Sequence, residues 1–78
     1  MGTAIKVPTI TGAAKLSVGQ WFKRVCDPVS IDEPLVEIDT DNLPHEIRAP
    51  VTGVLAKVFV KDGGYVKPGT VVGTIDQV

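Results

Sequence analysis

Glycine or proline stands at 14 of the 78 positions, and no stretch between two of them exceeds nine residues. A helix of average length, about 11 residues, would therefore contain a breaker wherever it was placed. Val, Ile and Thr together supply 26 residues, whereas Leu and Ala supply nine. Branched side chains lose rotamer freedom in helices and pack well on pleated surfaces. The chain is therefore expected to be all-β, built from short strands with frequent turns. Its length allows one domain, residues 1–78. A chain this short buries only about 60% of its unfolded surface, so its core must be economical.

Hydrophobic spacing places the strands. Extended segments are predicted at Ala4–Val7, Leu16–Phe22, a short piece around Val29, Leu35–Asp39, His45–Arg48, Val54–Val60 and Thr70–Asp76. In Leu35–Asp39, Val36 and Ile38 face one way and Glu37 and Asp39 the other. His45–Arg48 alternates in the same manner, with His45 and Ile47 on one side. Turns are read at Cys26-Asp27-Pro28, Asp32-Glu33-Pro34, Asp62-Gly63-Gly64 and Pro68-Gly69. Between the two central strands, Thr40-Asp41-Asn42-Leu43-Pro44 reads as a hairpin with its tip near Asp41-Asn42, since Asp and Asn favour turns and Asn tolerates positive φ.

A shift of 37 residues superimposes the two halves of the chain. Val18 meets Leu55, Trp21 meets Val58, Phe22 meets Phe59, Cys26 meets Gly63 and Val29 meets Val66. Further on, Leu35 meets Val72, Ile38 meets Ile75 and Asp39 meets Asp76. Chance matching of Val-rich strands is one account. The other is two similar antiparallel sheets facing each other with quasi-two-fold symmetry, a flattened β-barrel or sandwich. In that arrangement the central hairpin and the chain ends lie at opposite ends of the domain.

Composition removes several functions. The net charge of −1 argues against nucleic-acid binding. One cysteine excludes a disulfide framework and any Cys-based zinc site within the chain, and one histidine removes most other metal sites. No apolar run approaches the roughly 20 residues of a membrane span.

Several motifs, taken in order, resemble the biotinyl/lipoyl domain family. Trp21 through Val29 is similar to the W-x-x-x-x-G-D-x-V segment of lipoyl domains. Asp32-Glu33-Pro34-Leu35-Val36-Glu37-Ile38-Asp39-Thr40-Asp41 resembles the family's D-E-P-L-V-E-I-E-T-D, which leads into the lipoyl lysine. Ala49-Pro50, Gly53-Val54-Leu55, Val60-Lys61-Asp62-Gly63, Val66, Gly69, Val72 and Gly73 continue the match. The resemblance covers the chain from about Ile5 to Ile75. It is greatest to the lipoyl domain of a 2-oxo acid dehydrogenase acyltransferase (E2) component, and the phrasing around Glu37–Asp41 leans toward the 2-oxoglutarate or branched-chain type.

The resemblance implies two four-stranded antiparallel sheets. It also implies a non-catalytic, swinging-arm carrier domain excised from a longer multidomain chain and monomeric in isolation. Its covalent lipoate would be acylated at the decarboxylase (E1), would pass the acyl group to coenzyme A at the E2 catalytic domain, and would be reoxidised by dihydrolipoamide dehydrogenase (E3). A lipoate–protein ligase would install it. The location implied is the bacterial cytoplasm or the mitochondrial matrix. Neither nucleic acid nor membrane is an expected partner, and no catalytic or metal-binding residue is expected.

At the position of the lipoyl lysine this chain has Asn42. A carboxamide nitrogen is delocalised into its carbonyl, is not basic and lies close to the backbone, so it cannot accept the lipoyl group. Lys6, Lys15, Lys23, Lys57, Lys61 and Lys67 read as solvated strand or turn residues. Asn42 is either an introduced change or a natural one, and the natural case leaves a module that docks to a partner and carries nothing. A second departure is Cys26, where the family has glycine. If that turn needs positive φ, cysteine is strained there. Asp27 beside it argues against a reactive thiolate.

Asp39, Thr40, Asp41, Leu43 and Glu46 are the expected hairpin recognition residues. Seven of the nine acids, Asp27, Asp32, Glu33, Glu37, Asp39, Asp41 and Glu46, fall between residues 27 and 46 without a Lys or Arg among them. The hairpin end is therefore expected to be negative, either as a plain solvated face or as a surface that steers a basic partner. Steered binding weakens as salt rises. His45 is expected to be half-buried, and Trp21 and Phe22 to pack at the core and edge. Among rivals, a biotin carrier would show methionines beside its lysine and this hairpin has none. An SH3-like adaptor would need an aromatic groove that Trp21, Phe22, Phe59 and Tyr65 are too few to line.

Overall fold

The computed structural model describes residues 2–10, 12, 15–41 and 43–77. They form eight strands: β1 (Gly2–Lys6), β2 (Leu16–Trp21), β3 (Pro28–Val29), β4 (Pro34–Asp39), β5 (His45–Arg48), β6 (Gly53–Val58), β7 (Tyr65–Val66) and β8 (Val71–Gln77). One sheet has the order β1-β8-β6-β3 and the other β5-β4-β2-β7, four strands each. Every pairing is antiparallel. This is the all-β, two-sheet architecture expected from the punctuation and the repeat.

The 37-residue shift carries β2 onto β6, β3 onto β7 and β4 onto β8. It extends to the irregularities. The β2–β4 ladder slips between Val18 and Gln20, and the β6–β8 ladder between Leu55 and Lys57. It also extends to backbone hydrogen bonds that cross between the halves. Cys26 N donates to Leu55 O at 2.7 Å, and Gly63 N donates to Val18 O at 2.6 Å. Leu55 N donates to Asp27 O, and Val18 N to Gly64 O. Each half's turn thus closes on the other half's strand.

Between the sheets lie Ile5, Val7, Leu16, Val18, Val29, Leu35, Val36, Ile38, Ile47, Ala49, Leu55, Val66, Val72 and Ile75. Burying one such branched side chain stabilises the fold by roughly 1.5–3 kcal/mol. Trp21 bridges the halves: its indole Nε1 donates to Val60 O at 2.8 Å, and its backbone N to Asp62 Oδ1 at 3.2 Å. The ring has room because Gly73 has no side chain; a Cβ there would lie 3.1 Å from Trp21 Cη2.

Several expectations need correction. Tyr65–Val66 is a strand in its own right, which hydrophobic spacing did not mark, although the repeat had matched Val66 to Val29. Leu35 is buried alongside Val36, so simple alternation fails at the start of β4. The cause is a slip in the β4–β5 pairing between Pro34 and Val36. His45 is exposed, not half-buried: it pairs with Ile38 at the end of edge strand β5. Trp21 packs against the core, but Phe22 is 42% exposed. Strand ends move by one or two residues, since β1 starts at Gly2 and β6 ends at Val58.

The turn at Cys26 does need a left-handed backbone. Cys26 has φ 79° and its repeat mate Gly63 has φ 86°. The pattern recurs at Asp32, φ 69°, and its mate Gly69, φ 89°.

Candidate functional site

The connection from β4 to β5 is the central hairpin, residues 40–44, between Asp39 and His45. β4 carries Leu35, Val36 and Ile38 into the core, which anchors the rising arm. β5 is an edge strand with only Ile47 buried, so the returning arm is held mainly by its ladder to β4. At the tip, Thr40 Oγ1 donates to Leu43 O at 2.9 Å, closing the loop across its base. Leu43 is 82% exposed. Asn42, the position of greatest interest, lies outside the described residues.

The proposed recognition residues are brought together on one end of the β5-β4-β2-β7 sheet. Asp39 closes β4 and is exposed; Asp41 is exposed; Glu46 is directly opposite Glu37 across the β4–β5 ladder. Two carboxylates facing each other across strands repel. Asp39 pairs with Ser17 of β2, and Ser17 pairs on its other side with Tyr65. Tyr65 is 85% exposed, so an aromatic ring shares this row with the Asp39 carboxylate. Hydrophobic spacing overlooked Tyr65 because a two-residue strand carries no period. Its place was available from the match of Val66 to Val29.

The charge map differs from the expectation. Only Glu37, Asp39, Asp41 and Glu46 belong to the hairpin end. Asp27, Asp32 and Glu33 precede β4 and lie at the opposite end of that strand. There Asp27 Oδ2 accepts from Arg24 N at 2.8 Å, and Glu33 forms an ion pair with Lys23 at 2.8 Å. The Lys23 hydrogen bond, and then the Ser30 amide, hold the Glu33 carboxyl below the usual carboxylate range. Conversely, Lys15 and Lys67 adjoin the Leu16–Val66 pair, one row beyond Ser17 and Tyr65. The hairpin end is therefore an acidic strip bordered by two lysines, because strand register and not chain proximity decides which charges meet.

The Asp39 carboxyl group also lies close to Gly19 of β2. A Cβ placed on Gly19 would lie 2.6 Å from Asp39 Oδ1, 2.8 Å from its Cγ and 2.9 Å from its Oδ2. The carboxyl group therefore occupies the space that a side chain at Gly19 would fill. The assembly is a loop carried between two strands of a two-sheet body. The described residues form no cleft that could enclose a small substrate.

Residues 3–75 match the family model described as "Biotin-requiring enzyme", the biotin/lipoyl attachment family. The chain is 39% identical over 77 residues to the dihydrolipoyllysine-residue succinyltransferase component of the 2-oxoglutarate dehydrogenase complex from Bartonella vinsonii subsp. berkhoffii, covering 97% of this chain and 19% of that protein. It is 33% identical over 76 residues to the acetyltransferase component of the pyruvate dehydrogenase complex of Corynebacterium glutamicum, covering 96% of this chain and 11% of that protein. The chain thus spans a fifth or less of these relatives. Its fold matches the solution structure of the lipoyl domain of the 2-oxoglutarate dehydrogenase complex from Azotobacter vinelandii with TM-score 0.74 and 30% identity, covering 95% of this chain and 98% of that one.

Proposed function

From the premise that the chain belongs to the biotinyl/lipoyl domain family, we propose that it is the lipoyl-type carrier domain of a 2-oxo acid dehydrogenase acyltransferase (E2) component. It presents the hairpin at residues 40–44 to partner enzymes and is not catalytic by itself. Asp39, Thr40, Asp41, Leu43 and Glu46 are the residues a partner would read. The partners this implies are the E1 decarboxylase, the E2 catalytic domain, E3 and a lipoate–protein ligase. The location it implies is the bacterial cytoplasm or the mitochondrial matrix.

The observation that carries this reading is a hairpin closed by the Thr40–Leu43 bond and borne on a strand that buries Leu35, Val36 and Ile38 in the core. The residues present do not fit the group. Lipoate is joined to such domains through a lysine amine, and Asn42 offers only a carboxamide. The chain as it stands is therefore unlipoylated. A second reading follows from the same residue: a docking module that engages a partner through the hairpin and carries nothing.

Intact-mass spectrometry tests the proposal. The chain and its Asn42→Lys variant are each incubated with lipoate, ATP and a lipoate–protein ligase. A lipoyl-sized gain confined to the lysine variant supports the carrier reading. No gain in either favours the docking module. A gain in the unchanged chain would mean that another lysine is used and that the site is misassigned.

A further inference from the structure

The two halves share a bulge, and the residue at its apex differs between them. In β2 the register slips between Val18 and Gln20, which leaves Gly19 outside the β4 pairing; in β6 it slips between Leu55 and Lys57, which leaves Ala56 outside the β8 pairing. An aspartate ends the matching strand segment in each half, Asp39 and Asp76. Yet only the hairpin-bearing half has glycine at the bulge, and there the carboxyl group of the aspartate fills the missing side chain's space.

We propose that Gly19 is a positioning residue for the hairpin. It seats the Asp39 carboxylate against β2 and thereby fixes where that charge is presented to the enzyme that modifies the hairpin. Three arguments support this. All three close atoms belong to the end of a flexible side chain, so a methyl at Gly19 displaces the carboxylate and leaves the strands in place. A glycine in a strand interior is otherwise a cost relative to alanine, so its use here asks for a local reason. Asp39 directly precedes the 40–44 loop, so a change in its side-chain direction moves a charge at the loop's root. An exposed charge at the edge of an encounter surface acts mainly on capture of the partner. The effect therefore falls on KM and leaves kcat alone.

This inference rests on the carrier reading, and two measurements keep the two separable. In the Asn42→Lys background, ligase kinetics are measured for the parent, Gly19→Ala, Asp39→Ala and the double variant. Gly19→Ala is expected to raise KM for the domain about fivefold with kcat unchanged, the mark of an exposed charge at an encounter surface. The double variant should be no worse than Asp39→Ala. Gly19→Ala combined with Asp39→Glu should recover, since one more methylene carries the carboxylate past the alanine methyl. An unchanged KM for Gly19→Ala, or effects that simply add in the double variant, would overturn the proposal.

If the Asn42→Lys parent accepts no lipoate, the carrier reading fails, and the seat is judged by thermal unfolding of the unaltered chain's variants. Gly19→Ala should then raise Tm more when Asp39 is already alanine than when it is not. Equal increments would mean that the carboxylate is not seated on Gly19.

Discussion

Residues 16–39 and 53–76 build the same strands, the same bulges and the same crossed turns, but they solve the backbone problem with different residues. The second half places glycine at both left-handed turn positions, Gly63 and Gly69. The first half has Cys26 and Asp32 there, at φ 79° and 69°. The halves also divide their volume differently. Trp21 pairs with Val36 in the first, whereas the equivalent pair in the second is Val58 with Gly73. Trp21 reaches across into the space above Gly73, so the surplus of one half fills the deficit of the other. A symmetric fold thus demands equal backbone geometry and only a conserved total volume. Individual side chains are free to diverge, and the half that ends in the hairpin has diverged further from the residues its turns favour.

The sharpest break of this comparison is to force equality at the core. Gly73→Val copies its mate Val36, and its Cβ would meet both Lys57 O at 2.5 Å and the Trp21 ring. Because the first of these is backbone, no rotamer relieves it. Overpacking of this kind is expected to cost about 3 kcal/mol. Urea unfolding would show it as a lower midpoint; an unchanged midpoint would break the volume argument.

Next in size is the fully buried pair Leu35 and Val72, which are mates. Leu35→Ala should cost about 3 kcal/mol and Val72→Ala about 2 kcal/mol, in proportion to the methylenes removed plus the cavity left. Equal losses in chemical denaturation would indicate that the two sites collapse differently and would weaken the claim of equivalence.

The turns give a smaller effect of opposite sign. Cys26→Gly relieves a left-handed non-glycine residue and should stabilise by about 1 kcal/mol, raising Tm by about 4–8 °C in a domain of this size. Asp32→Gly should gain less, because aspartate tolerates that region better than cysteine. Gly63→Ala should lose stability. A Tm that falls in Cys26→Gly would show that the thiol makes a contact worth more than the strain.

The smallest effect separates the charges of the two ends. Glu33 is held below its ordinary range by Lys23 and the Ser30 amide. A carboxyl depressed in the folded state contributes stability above its unfolded pKa, and that contribution is lost as pH falls through the folded value. Lys23→Ala should therefore lower stability slightly at neutral pH and flatten its acid dependence, with the two proteins converging below the folded pKa. Both side chains are only partly buried, so solvent screens the pair and the difference is modest. Denaturation midpoints across an acid pH series would check it.

Much of this molecule was readable from its residues, and the failures share a cause. The all-β class followed from Gly and Pro spacing and the excess of branched residues. The hairpin followed from Asp41-Asn42-Leu43-Pro44 between two alternating segments. The repeat matched Cys26 to Gly63, and the positive φ that the match left open is shared by both. What did not follow depended on register. Leu35 turns inward because of a slip visible only once β4 meets β5. Tyr65–Val66 is a strand because Leu16 and Ser17 lie beside it, not because two residues have a pattern. The acids at residues 27–33 left the hairpin because β4 carries the chain from one end of the sheet to the other. The bulge at Gly19 did not follow either, because it shows only in the β2–β4 register, and nor did the Asp39 carboxylate that fills the space there.

The crossed turns have a consequence for how the molecule comes into being. Cys26 donates to Leu55 and Gly63 donates to Val18, so neither half completes its own backbone bonding. Residues 16–39 alone would be a strand set with unanswered amides, and so would residues 53–76. Folding must therefore be a mutual event across the whole chain, with long loops closed before either turn is rewarded, which favours slow, all-or-none assembly. Severing the chain within residues 40–44 should leave two fragments that are each unstructured and that recover the fold only on meeting, in a reaction second order in concentration.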